Sequence, residues 1–246
     1  MARPGSRGRA RRGSWRALLK VDERRLAGYC AYLLAASQLI VTITYALLPG
    51  RPSGADAVLQ LASTSPGWFR LLYGALAAGG FFGLAVVSPI TALAKDESSA
   101  WLAWARRLAY VAFAVTIVQG VRLAVLIPDL AQLYRGCQHC TINLGEQQTL
   151  ARWLYAALPV DPLYILTFGL VSLWTLALSL SWLAWGGTPR ALAYLGLLLT
   201  LGYWLIVLGL MTGATGLFAI ASVVTGIFLA PFWYIWLGVL LTARTR

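Results

Sequence analysis

Few side chains in this chain can do chemistry, and they cluster at two places. The first is Cys137-Gln138-His139-Cys140, the close pair among three cysteines. Thiols at Cys-x-x-Cys spacing can close a disulfide or supply two metal ligands. His139 is the sole histidine and Cys30 lies far away in an apolar stretch, so a four-ligand zinc shell cannot be completed. The motif is not Cys-x-x-Cys-His, which removes covalent haem, and a lone imidazole cannot make a bis-histidine haem site. No metal or cofactor is expected. In an oxidising compartment Cys137 and Cys140 should pair, either as a structural bridge or as an exchanging dithiol.

The second place is a polar stripe within an apolar run: Gln119, Arg122 one turn later, and Asp129 two turns beyond that, with Pro128 loosening the backbone between. A guanidinium inside hydrocarbon costs about 2.5 to 3.5 kcal/mol on insertion scales and usually faces protein. Two readings stay open. Arg122 snorkels to the outer interface with Asp129 as a loose partner, or the stripe forms a site for an anion, a lipid headgroup or a quinone carbonyl. The second reading predicts that Arg122 faces protein.

The elements that must position these residues belong to a membrane protein. From Ala191 to Ala243 there is no Lys, Arg, Asp, Glu or His, a stretch no soluble domain could hide. The 246 residues are 59% hydrophobic and 11% charged, against about 25% charged in ordinary globular chains. The apolar runs are continuous rather than alternating, which selects helices over barrel strands. The expectation is an all-α, polytopic bundle spanning residues 27–242, with six helices at about 27–48, 69–94, 108–133, 163–185, 191–211 and 217–242. The loop 134–162 should lie outside.

Nine basic residues precede the first span in a tail of residues 1–26, and Lys95, Arg106, Arg107, Arg190, Arg244 and Arg246 fall on even-numbered connections or the C-terminus. The positive-inside rule then places both termini in the cytoplasm, and the expected location is a bacterial plasma membrane. The tail is expected to touch anionic lipid, each basic residue near the surface contributing about 1 kcal/mol. It has no interleaved aromatics and no nucleic-acid-binding signature, so nucleic acid is not an expected partner.

Small residues recur at four-residue spacing: Ala75, Gly79 and Gly83, then Gly209 and Gly213, then Ser222, Gly226 and Ala230. That spacing permits close helix approach in lipid, either inside the chain or against a partner subunit. Trp68, Trp101, Trp104, Trp153, Trp182 and Trp185 fall near span ends as an aromatic belt would, whereas Trp174, Trp204, Trp233 and Trp236 are open to packing or to lining a ligand cavity.

Two stretches near the C-terminus, Pro189-Arg190-Ala191-Leu192 and Ala230-Pro231-Phe232-Trp233-Tyr234-Ile235-Trp236-Leu237-Gly238, resemble a bacterial six-helix membrane family catalogued as domain of unknown function 4386. The resemblance implies a six-helix layout and carries no activity or catalytic residues. The basic tail and the cysteine loop are not part of that pattern, which would make this chain a specialised member. Without a complete catalytic set, the expected function is a non-catalytic subunit or scaffold working with other membrane subunits. A small-molecule, lipid or ion carrier using the Arg122 stripe and a thiol-disulfide oxidoreductase using Cys137 and Cys140 are the alternatives.

Overall fold

A computed structural model describes residues 7–49, 54–94, 99–136 and 142–243, with side chains of the first helix from Glu23 onward. The chain is all-α, and six helices are long and apolar enough to cross a bilayer. In chain order the elements are α1 (Arg7–Ala46), α2 (Ala55–Thr64), α3 (Pro66–Thr91), α4 (Ala100–Arg135), α5 (Leu144–Ala156), α6 (Ile165–Trp185), α7 (Arg190–Thr212) and α8 (Thr215–Ala243). The spanning part of α1 is Glu23–Ala46. The expected spans are all present, with different edges. Helix α1 begins well before residue 27, at Arg7, and α4 overshoots its expected span at both ends.

Each spanning helix packs on the next in the chain, and α8 returns to pack on α1, so α1, α3, α4, α6, α7 and α8 close a ring. In lipid no hydrophobic drive pulls helices together, so close van der Waals approach at small residues must do it. Gly120 and Gly80 are the contact points of α3 and α4. A Cβ on Gly120 would stand 2.6 Å from the Ala77 backbone nitrogen, and one on Gly80 would stand 2.8 Å from the Phe113 carbonyl oxygen. Gly28 of α1 and Gly238 of α8 face each other in the same way at the ring closure. The four-residue stripes are also spent inside the chain: Gly79 on Ser37 of α1, Gly209 on Phe218 of α8, and Gly226 on Thr42 of α1.

The exposed cations Arg24, Arg25, Arg106, Arg107 and Arg190 gather at one end of the ring, here called the basic face. On this half the centre of the ring is filled by large rings. Trp174, Trp182, Trp233 and Tyr234 are almost completely buried, with Phe113 edge-on to Trp174 and Trp174 edge-on to Trp233. The Trp174 indole donates to Thr91 Oγ1 at 3.1 Å. Trp182, expected in the interfacial belt, is instead a core residue, while Trp204 and Trp236 are exposed.

The connections on the opposite, distal face are not simple loops. Helix α2 runs into α3 at Ser65, with Pro66 at the first position of α3, where its missing N–H costs nothing. Helix α5 lies within the stretch expected as an open loop. Its start is set by a capping box in which Asn143 Oδ1 accepts from the Glu146 N–H at 2.9 Å and the Asn143 N–H donates to Glu146 Oε2 at 3.3 Å. The Asn-x-x-Glu spacing was readable in the sequence.

Candidate functional site

The polar stripe of α4 divides. Gln119 is buried, whereas Arg122 and Asp129 are exposed. The expectation that Arg122 faces protein is therefore corrected for the single chain. At 100° per residue Arg122 lies 60° around the helix from Gln119, enough to carry it from the packed face, which includes Gln119, Gly120 and Leu123, onto the outer surface. Asp129 lies close to Arg122 around the helix but forms no ion pair with it. The ion pair found among the described residues joins Arg152 of α5 to Asp56 of α2 at 2.5 Å. Counting from Arg107 at about 1.5 Å per residue, Arg122 sits about 22 Å along a helix crossing a core of about 30 Å, within snorkelling reach of the distal headgroups. Cys137, His139 and Cys140 lie outside the described residues, and no cluster that could hold a metal occurs among those described.

The inward partner of Gln119 is Asp161, a residue the stripe did not include. The Gln119 amide brackets the backbone of Asp161: Oε1 accepts from its N–H at 2.6 Å and Nε2 donates to its carbonyl at 3.3 Å. The Asp161 carboxylate in turn accepts from the Thr167 N–H at 2.7 Å in the first turn of α6. Asp161 is 4% exposed. A carboxylate this deep needs donors and favourable dipoles, and the start of a helix offers both. The segment after α5 is thereby drawn in toward the ring. It dips to the level of Gln119, about 18 Å from Arg107 along α4, before α6 begins.

This dip distorts the backbone at two points. Tyr164 adopts φ 54°, ψ 24°, a left-handed conformation that an aromatic residue rarely accepts. The next residues, Ile165–Gly169, form a π turn, and a second π turn, Val224–Leu229, interrupts α8. Single π turns are uncommon and concentrate at functional sites. Both border the same hollow.

That hollow occupies the distal half of the ring and measures about 130 Å³. Four tyrosines surround it, Tyr45, Tyr73, Tyr164 and Tyr203, from four different parts of the chain. Tyr164, Phe168 and Tyr203 form a stack, with ring centroids 5.4 and 5.3 Å apart. Leu72, Leu76, Val41 and Ile206 supply apolar wall, and Gln38, Thr42, Ser222 and Thr225 supply short polar groups. The Thr225 hydroxyl is buried without a hydrogen-bond partner among the described residues. The hollow exists because small residues, Thr42, Ser222 and Gly226, occupy here the ring centre that tryptophans fill on the basic half.

The hollow also has a mouth. Beyond the crossing at Gly226 and Thr42, α8 parts from α1, and the wedge between them is closed by Tyr45 edge-on to Phe218, centroids 5.8 Å apart. Tyr45 is 41% exposed, so this pair separates the hollow from surrounding lipid. Chemically, the site offers an apolar, ring-lined space with a few hydroxyls and an amide at its wall. No sequence signal marks it, since its tyrosines are spread over more than 150 positions without a shared period. In comparison with known protein families, curated proteins and solved structures, nothing matches this chain.

Proposed function

We propose that this protein binds a lipid-soluble ligand in the distal half of its helix ring, admitted from the bilayer between α1 and α8. The observation that carries the proposal is the hollow bounded by Tyr164, Phe168, Tyr203 and both π turns. Its walls are apolar with few hydrogen-bonding groups, the usual character of small-ligand pockets. An apolar cavity of about 150 Å³ holds a benzene ring, so this one suits a single ring or a short length of hydrocarbon chain. The ligand class is therefore an acyl or isoprenoid chain, or a quinone-like ring, with one or two groups able to meet a hydroxyl or an amide. This proposal shares a lipid-soluble ligand class with the carrier alternative but puts the site at the ring centre rather than at Arg122. Of the small residues that favoured a scaffold, Gly79, Gly83, Gly209 and Gly226 pack within the chain, whereas Gly213 is exposed.

Photo-crosslinking tests this directly. A phospholipid bearing a diazirine on its acyl chain, in nanodiscs with the full chain, should label Phe168 or Tyr203. Tyr203 is only 3% exposed and cannot be reached from bulk lipid. Ser222→Phe, which fills the hollow, should remove that labelling and leave surface adducts unchanged. Labelling confined to exposed residues would overturn the proposal.

A second reading has one observation in its favour. Arg122 and Asp129 are exposed on α4 within or near the bilayer, and a helix of another subunit could cover them, which keeps the complex-subunit function open. Arg122→Leu should then disrupt a co-purifying assembly. With Arg122 merely snorkelling, the variant behaves as the parent does. The cytoplasmic termini and contact of the basic tail with anionic lipid complete the proposal on the strength of the charge distribution, and a bacterial plasma membrane goes with the family resemblance. Reporter fusions at Gly145 and Arg246 should read outside and inside respectively; both on one side would sink that orientation. Membership of the domain of unknown function 4386 family stays a proposal on the quoted stretches, which form the start of α7 and the inner end of α8.

A further inference from the structure

Helix α5 carries an apolar face that no part of the described chain covers. Gln147 and Ala151 are its buried residues, packed toward α4, whereas Leu150, Trp153 and Leu154 point away and are exposed. Trp153, at 74%, is the most exposed large apolar side chain described. Similar exposure on the spans, as at Phe81 and Ile220, is explained by lipid. Thirteen residues make only about 20 Å of helix, so α5 is no span.

The level of α5 identifies what covers it. Two contacts bracket its course: Leu144 at its start lies against Gly136 at the end of α4, and Asp161 after its end is bonded to Gln119. Between them Ala151 and Leu158 join the cluster containing Leu123, Ile127 and Ala131 of α4. Helix α5 therefore descends antiparallel along the distal end of α4, and Trp153 comes level with about Ile127. Ile127 is about 30 Å along the helix from Arg107, the full hydrocarbon thickness. Trp153 is thus at the distal boundary of the bilayer, where indole rings prefer to sit. The polar residues Glu146 and Thr149 lie toward the start of α5, higher on this scale, and Arg152 is turned toward Asp56 and the Tyr134 ring.

We propose that α5 is seated in the distal leaflet, with the headgroup and upper acyl region of the lipid covering Leu150, Trp153 and Leu154. The partner is the membrane in which the six spans stand. The stretch 144–164 is then a re-entrant element that enters the leaflet as α5, reaches Asp161 inside the ring and turns into α6. This placement is independent of ligand binding in the hollow.

The test compares the full chain with Trp153→Phe in vesicles, the difference in tryptophan emission being the Trp153 signal. Phosphatidylcholine brominated at shallow chain positions should quench that difference, deep bromines should quench it less, and aqueous iodide should leave it intact. Quenching by iodide without quenching by bromine would place Trp153 in water and overturn the proposal. Protection from both would place it against protein and overturn it equally. A circular dichroism spectrum unchanged by Trp153→Phe shows that the comparison is made on a folded chain.

Discussion

The Gln119 side chain forms two hydrogen bonds to the backbone of one residue, Asp161, 42 positions away. This pair ties the segment after α5 into the ring, and through the Asp161 carboxylate it sets the first turn of α6. Gln119→Leu would leave the Asp161 N–H without a partner in a site where water is scarce, while the Asp161 carbonyl keeps the Tyr164 N–H at 3.1 Å. A buried group so orphaned costs about 1 to 3 kcal/mol. Thermal unfolding in mild detergent should show a clear loss of stability, and hydrogen exchange should rise over residues 158–169. Unchanged exchange there would show that the bracket is dispensable.

Gly120 should tolerate no side chain. Its missing Cβ is replaced by the Ala77 and Tyr73 backbone, which cannot give way as a side-chain tip can. Gly120→Val should force α3 and α4 apart and destabilise the fold by about 3 kcal/mol or more, at the upper end of overpacking effects. Gly74, with open space around it, is the control. Gly74→Ala should match the parent in the same unfolding assay.

Ser179 predicts the opposite sign. Its hydroxyl is completely buried and makes no hydrogen bond among the described residues, and a hydroxyl so placed costs about 1 to 3 kcal/mol in mutational series. Ser179→Ala keeps the small volume that the contact with Gly196 requires. The melting temperature should stay level or rise. A marked fall would reveal a hydrogen-bond partner for Ser179, such as a buried water.

On the distal face, the pairing of Asp56 with Arg152 should be sensitive to acid. The hydrogen bond from Arg152 first, and that from Tyr134 after it, hold the Asp56 carboxyl below its ordinary value. A carboxyl with a lowered folded value stabilises the fold above its unfolded value, about pH 4, and loses that contribution as pH falls through the depressed one. Both side chains are about half exposed, so the effect is small and screened by salt. Hydrogen exchange in α2 and α5 should be flat from pH 7 to 5 after correction for intrinsic rates, and should rise in stronger acid. Asp56→Asn should show the raised level at every pH.

Much of this architecture was legible before any coordinates. The uncharged run 191–243, long enough for two helices, and the four other apolar stretches dictate six spans, because hydrocarbon leaves the backbone no partner but itself. The cations at one end of the spans were equally legible, since charge in lipid is costly wherever the fold places it. Helix α5 was not anticipated, although the Asn143 and Glu146 that cap its start stand at capping-box spacing in the sequence. Periodicity placed Gln119 and Arg122 in a single stripe, but it could not divide them. Only the ring of neighbours decides that one buries its amide against Asp161 while the other, 60° around the helix, is exposed. The hollow was wholly beyond the sequence. It arises where small residues of α1 and α8 meet Tyr73 of α3, Tyr164 just before α6 and Tyr203 of α7, and an empty volume is a property of what several helices leave unfilled, which no single stretch of chain encodes.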